Sequence, residues 1–578
     1  MAQIGITSLT PLTRFFRLLK VDRKLIGHIY LYAVVGGLVS LSLPLGIQAI
    51  INLLGSGRVS TSLAVLILLV IVGMGLVGFL QVLQLTVSEL LQQKVFTRAA
   101  FEFAHRIPLL KGDTQRTYYV PELINRFFDT LSVQKGLSKI LLDFSSAALQ
   151  AVFGLILLSL YHPFFILFSM LLVCLAFLIF WFTGTSGLNS SIVESKYKYA
   201  VVHWLEEVAR TLETFKLAGD TPLPMERTDK LVNGYLEART KHFSVLKFQY
   251  INLVIFKILV AAGLLILGGK LVLEQEMNIG QFVAAEIIII LVLNSVEKLI
   301  MSMETIYDVL TSLDKLGHVM DLPLENHAGS QIDKSFGSLA GMSVQLNDVS
   351  IKQADDYKYM LKNINLDVKS GERVCITGSR NSGKSLLLRI IAGLNLPSEG
   401  QMSYNGLPLS SLNIGSLRQT LGANLEKQGV FAGTLLENLT LGKKEIDFDT
   451  VQGVAAITNL NQLVQEMPQG YNTYLQPEGR HLPESAVHKI LLTRAMVNKP
   501  RLLLLEEPFE ALHQLERERL LQYLLNPEHG WTVVLSTTHP ELAQQFNRVL
   551  VLHNGTLIEP KNPTNLAEEP WFQDVFIR

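Results

Sequence analysis

Residues Gly378-Ser379-Arg380-Asn381-Ser382-Gly383-Lys384-Ser385 carry the spacing glycine, four residues, glycine, lysine, serine. That spacing suits phosphate binding: the glycines let the backbone fold into a nest of N–H donors, and the lysine places a point charge on the β and γ groups. The serine hydroxyl offers a hard oxygen to magnesium. The context fits, because strand-like Arg373 to Thr377 precedes the loop and helix-like Leu386 to Leu394 follows it, aiming a helix N-terminus at the anion. Further on, the apolar run Arg501 to Leu505 ends in Glu506, Glu507 and Pro508. Two glutamates can simply end a buried strand at the surface; with Lys384 upstream a functional role for the pair is favoured instead. His539 follows a second apolar run, Thr532 to Ser536, and a lone histidine there would mean little by itself.

Short β-branched runs alternating with amphipathic helices from about residue 340 predict a soluble α/β domain to hold these groups. The first 305 residues obey a different pattern. Six apolar runs are long enough to cross a bilayer: Ile26 to Leu53, Leu63 to Leu90, Ile140 to Leu160, Phe164 to Phe182, Tyr250 to Leu273 and Ile279 to Ile300. A hydrophobic fraction of 49% and a mean hydropathy of +0.32 agree with a chain that is partly in lipid. The gaps after the second and fourth runs are long and rich in lysine and arginine, which places them and both chain ends on the cytoplasmic side. Before the first run, Arg14, Arg17, Lys20, Arg23 and Lys24 alternate with apolar residues, as in an interfacial elbow helix. The expected organisation is an elbow over 1–25, a membrane domain over 26–320, a linker over 321–340 and a nucleotide-binding domain over 341–578. Zero formal net charge argues against a nucleic-acid partner, and two cysteines, Cys174 and Cys375, form neither a disulfide framework nor a metal set.

Together these motifs resemble the ATP-binding cassette exporters in their half-transporter form, and specifically the membrane exporters of bacterial type I secretion systems. The resemblance covers nearly the whole chain. It implies a multidomain protein: a six-helix transmembrane domain of the type I exporter fold, then an α/β P-loop domain using ATP and Mg2+. It also implies a second half-transporter as partner, in a homodimer or heterodimer, in a bacterial inner membrane with the nucleotide-binding domain in the cytoplasm. A periplasmic adaptor and an outer-membrane channel are the further expected partners. The chain begins at the elbow, without the peptidase domain of some relatives, so no leader-peptide cleavage is expected.

Carried onto this sequence, the resemblance makes Glu507 the residue that polarises the attacking water and His539 the switch histidine at the γ-phosphate. Glu506 stands where the family has aspartate, one methylene longer, beside the magnesium. Glu426 stands at the Q-loop position in place of glutamine, where its charge either repels the nucleotide or gives the metal another oxygen. The signature Leu-Ser-Gly-Gly-Gln is replaced by Leu482-Pro483-Glu484-Ser485-Ala486. Pro483 lacks an amide donor and Glu484 adds negative charge where a phosphate of the opposite subunit should lie. His513 replaces the D-loop aspartate. The adenine-stacking position falls near Gln353, with Tyr357 and Tyr359 as alternatives. Pro121 to Arg126 with Asp129, and Glu206 to Lys216, resemble the two coupling-helix regions. Lys257 and Glu286, at lipid depth, either line a pathway, pair with each other or serve structure, while Glu297 and Lys298 are placed at the membrane edge. The expected function is export from the cytoplasm coupled to ATP, slow alone or dependent on a partner; the alternative is a non-pumping membrane protein in which ATP gates or stabilises a complex.

Overall fold

A computed structural model describes residues 9–55, 61–112, 114, 118–332, 341–352 and 359–560. The chain divides into two units, residues 1–109 with 118–322, and residues 110–117 with 323–578.

The first unit is helical. Thr10 caps a helix over Pro11–Val21, its hydroxyl accepting the Thr13 N–H at 3.3 Å, and proline at the first helical position costs no hydrogen bond. This elbow helix is tied by Arg14, which pairs with Asp321. Six helical spans follow: Arg23–Leu54, Thr61–Leu109, Val120–Ser159, Pro163–Arg210, Leu223–Leu273 and Ile279–Met320. The six apolar runs lie within them, apart from Leu160 just past the third, but the spans are far longer than a bilayer requires. The cationic stretches that hydropathy marks as loops are in large part the same helices continuing beyond the apolar zone. Thr61–Arg106 is a single helix of 46 residues and Leu223–Leu273 one of 51. A change from apolar to charged side chains alters the solvent a helix prefers and leaves its backbone bonding intact.

In these extensions the packing turns polar. Gln249 donates to the Thr183 hydroxyl at 2.6 Å and to the Tyr307 hydroxyl at 2.9 Å, and Ser191 bonds Thr311 at 2.9 Å. Gly187 lies under the Tyr307 ring, so close that a Cβ there would fall 2.3 Å from a ring carbon. Lys257 pairs with Glu297 at 2.5 Å, which joins the fifth and sixth spans and makes Glu297, not Glu286, its partner. Asn125 bonds Glu206, the Asp129 carboxylate accepts the Tyr199 hydroxyl, and the Arg126 guanidinium stacks 3.9 Å from the Tyr199 ring centre. The stretch Pro121 to Asp129 is therefore integrated in the first unit. Thr211 interrupts the fourth span before a short helix, Leu212–Leu217, whose Leu217 is 88% exposed.

The second unit holds two main sheets. A four-stranded antiparallel sheet has the order β2-β1-β4-β5, where β1 is Val344–Lys352, β2 Tyr359–Val368, β4 Glu399–Tyr404 and β5 Leu407–Pro408. A six-stranded sheet has the order β12-β11-β3-β10-β9-β6: β3 is Arg373–Thr377, β6 Leu421–Asn424, β9 Leu502–Glu506, β10 Thr532–Ser536, β11 Arg548–His553 and β12 Thr556–Ile558. Its β11, β3, β10, β9 and β6 run parallel and are nearly continuous in apolar residues, as expected for strands covered on both faces. One core lies between the two sheets and includes Val374, Ile376, Leu502 and Leu504; the other covers the opposite face with Cys375, Leu503, Leu505 and the helix Glu484–Val497.

Residues 110–117 belong to this second unit. Leu110 bridges Leu324, and the Lys111 N–H donates to the Pro323 carbonyl at 3.2 Å. A Cβ on Gly112 would lie 1.8 Å from the carbonyl oxygen of Leu394, just beyond the helix that follows the phosphate loop. This turn, upstream of the stretch expected from sequence, is the part of the early chain that packs on the nucleotide-binding fold. Backbone cannot yield as a flexible side chain can, so Gly112→Ala is expected to destabilise the protein by about 1–3 kcal/mol. Thermal unfolding in lipid should show a lower midpoint for Gly112→Ala and none of that shift for Lys111→Ala, whose side chain is exposed.

Candidate nucleotide site

The parallel strands deliver every candidate group to one edge. The phosphate loop leaves the carboxyl end of β3, Glu506 ends β9 with Glu507 directly after it, His539 follows β10 and Glu426 follows β6. Ligands in open α/β sheets bind at this carboxyl edge.

Three residues of the loop have positive φ: Gly378 at 147°, Asn381 at 63° and Gly383 at 104°. At Gly378 the requirement is also steric, since a Cβ would lie 2.3 Å from the Leu552 carbonyl. Lys384 is buried and its Nζ donates to the carbonyls of Gly378 at 2.8 Å and Ser379 at 2.9 Å, folding the ammonium back over its own loop. Burial lowers its pKa, and the charges of Glu507 and Glu506 oppose that shift. The Ser382 hydroxyl is buried without a hydrogen-bond partner. An orphaned buried hydroxyl costs stability unless something meets it. In a loop lined by backbone amides at the start of a helix, a phosphate oxygen answers that need. Ser385, in the first turn of the helix Lys384–Ile391, stays partly exposed.

Glu507 lies in the left-handed region at φ 43°. Its backbone N–H donates to Ser536 O at 3.0 Å, and its carboxylate accepts the Thr538 N–H at 3.1 Å, tying it to the turn that precedes His539. Burial raises its pKa, against the Thr538 amide and the Lys384 charge, which lower it. His539 is exposed, with its N–H on the Thr537 hydroxyl at 3.1 Å, at the start of the short helix Pro540–Ala543. The Thr537–Thr538 anchor was missed from sequence, although hydroxyl residues directly ahead of a histidine after a buried strand are a usable signal. Glu426 is also exposed, and its backbone N–H donates to Glu506 Oε2 at 2.8 Å. Among the described residues no cluster of three or more His, Cys, Asp or Glu side chains forms a metal cage.

The signature stretch stands apart. Among the described residues no hydrogen bond or ion pair joins 482–486 to the loop 378–385. Pro483 is the N-cap of the helix Glu484–Val497 and supplies no side-chain cap. Pro483, Glu484 and Ser485 are exposed. Two links join this helix to the segment after β9: His488 Nε2 lies 2.9 Å from Pro508 O, and Lys489 pairs with Glu516 at 2.7 Å. Glu516 also accepts the His513 N–H at 3.1 Å, which fixes the D-loop position. Gln353 and Tyr357 lie outside the described residues. The Tyr359 hydroxyl donates to Glu399 at 3.2 Å, and the Lys352 ammonium lies 4.8 Å from its ring centre.

A six-span helical unit followed by a P-loop α/β unit defines an ATP-binding cassette exporter half. Family models agree: the ABC transporter transmembrane region matches residues 26–296 and the ABC transporter domain matches 361–510, together most of the chain, which belongs to the ABC transporters. Among solved structures, a bacterial Atm1-family ABC exporter with ATP bound superposes with a TM-score of 0.83 at 19% identity, covering 96% of this chain and 98% of that one, and so shares the fold. Among curated relatives, the toxin RTX-III translocation ATP-binding protein of Actinobacillus pleuropneumoniae is 25% identical over 368 residues, 63% of this chain and 51% of its own length. The alpha-hemolysin translocation ATP-binding protein HlyB of Escherichia coli O157:H7 is 25% identical over 358 residues, 62% of this chain and 50% of its own. The chain thus spans about half the length of the curated relatives it matches. It is a multi-pass membrane protein with an ATP-binding domain.

Proposed function

We propose that this chain is one half of a dimeric exporter that couples ATP binding and hydrolysis to movement of a substrate out of the cytoplasm across a bacterial inner membrane. The observation that carries the reading is the convergence, at one sheet edge, of a phosphate loop with an unsatisfied buried hydroxyl, Ser382, and a half-buried carboxylate, Glu507. Residues 378–385 hold the phosphates, with Lys384 as the cation. Glu507 orients and polarises the attacking water, and His539 contacts the γ-phosphate. Magnesium, when bound with the nucleotide, neutralises phosphate charge beside the Ser385 hydroxyl. A second half-transporter supplies the opposing signature. The exposed Leu212, Leu217 and Met225 around the short helix Leu212–Leu217 give such a partner an apolar surface to cover. The toxin-translocation relatives support a periplasmic adaptor and an outer-membrane channel as later partners.

Lys384→Ala tests the reading. Binding of a fluorescent ATP analogue to the purified chain in lipid is expected to weaken by about tenfold or more, the scale of one charge-assisted interaction lost in a buried site. Unchanged affinity would remove nucleotide binding from the proposal. A second reading, nucleotide binding that stabilises a complex without turnover, is favoured by Pro483 and its uncapped helix. ATPase activity measured alone and with candidate partner halves separates the two: activity in either condition supports export, and silence in both supports the second reading.

A further inference from the structure

Glu506 and Glu426 both occupy positions where the resemblance expects a group near magnesium, yet Glu506 has a protein partner. β6 lies parallel to β9 with Asn424 opposite Leu505, so the turn after β6 passes beside the end of β9. There the Glu426 N–H donates to Glu506 Oε2 at 2.8 Å. An aspartate would end about 1.5 Å shorter, one carbon–carbon bond, and its oxygen would fall outside hydrogen-bonding range. The Glu426 side chain is exposed and makes no hydrogen bond or ion pair among the described residues, so the turn is held here through its backbone.

We infer that Glu506 is a positioning residue that fastens the turn after β6 to β9 directly, before nucleotide arrives, and that it is not the metal's carboxylate. The inference rests on the nucleotide-binding reading above. A glutamine at 506 keeps both the length and an accepting oxygen and removes the charge. An aspartate keeps the charge and removes the reach. The two substitutions therefore separate tethering from metal ligation, because each role survives in a different variant.

The test is residue-level hydrogen exchange of the full chain in lipid, paired with magnesium titration of fluorescent ATP binding. The Glu426 amide is expected to exchange slowly in wild type without nucleotide, to stay slow in Glu506→Gln, and to exchange about tenfold faster in Glu506→Asp, the scale of losing one hydrogen bond to a charged group. The magnesium concentration needed for half-maximal nucleotide binding is expected to be unchanged in Glu506→Gln. Fast Glu426 exchange in wild type, or about a tenfold higher magnesium requirement in Glu506→Gln, would overturn the inference. If no nucleotide binds under any condition, the export reading falls, and exchange at Glu426 still decides the tether.

Discussion

Glu507→Gln is expected to lower ATP turnover by roughly 10²-fold or more, with nucleotide affinity held within about threefold of wild type. The separation follows from position. The phosphate cradle is built by residues 378–385, and the Glu507 carboxylate takes its hydrogen bond from the Thr538 N–H, a bond a carboxamide oxygen can still accept. What glutamine cannot do is draw a proton from water. The pH dependence of stability supplies an independent readout. Burial raises the Glu507 pKa above its ordinary value of 4.5, so the folded state holds the proton to higher pH than the unfolded state. Below 4.5 both states are protonated and no penalty exists; the penalty appears as pH rises toward and through the raised value. Thermal midpoints of wild type and Glu507→Gln should therefore lie closest at acid pH, with the variant gaining relative to wild type toward neutrality. Turnover that persists in the variant would take the role of water activation away from Glu507.

Restoring the signature is expected to act in the opposite direction. Pro483→Ser, Glu484→Gly, Ser485→Gly and Ala486→Gln together should raise ATPase activity of the chain alone by about tenfold or more, within the range that one or two oriented donors contribute at a developing phosphate charge. Pro483 already has the extended backbone of an N-cap, with φ −58° and ψ 148°, so a serine fits without rearrangement and its hydroxyl can cap the helix. Removing Glu484 also removes a carboxylate from a helix N-terminus that should meet an anion. ATPase assays on the restored and native chains, alone and mixed with a partner half carrying an intact signature, check this. If restoration changes nothing in either setting, the altered signature is not what limits turnover.

The phosphate loop was legible because its chemistry is local: eight consecutive residues carry the fold of the loop and its donors. The six spans were legible from hydropathy, but their full length was not. Helix continues through charged residues such as those around Glu194 and Arg239, which pair across the fourth and fifth spans at 3.3 Å. That the segment beginning at Leu110 belongs with the second unit is not legible from any local pattern, because what marks it is the approach of Gly112 to Leu394, a residue remote in sequence. Lys257 similarly pairs with Glu297 and not with Glu286, a choice made by packing between helices that the sequence pattern does not show. The bond from Glu426 to Glu506 spans 80 residues and uses a backbone donor, which no side-chain pattern announces.

The membership of residues 110–117 in the second unit also sets an order of assembly. This segment leaves the ribosome about 200 residues before Pro323, which at roughly 5–20 residues per second is some 10–40 s ahead of the fold that receives it. The second unit is thus completed with a piece of chain made long before the rest of it. A fragment starting at Pro323 would lack the approach of Gly112 to Leu394 and the bond from Lys111 to the Pro323 carbonyl. Solubility and quality control of the nascent protein then depend on a handover between early and late chain, and any pause in translation between residues 117 and 323 lengthens the wait.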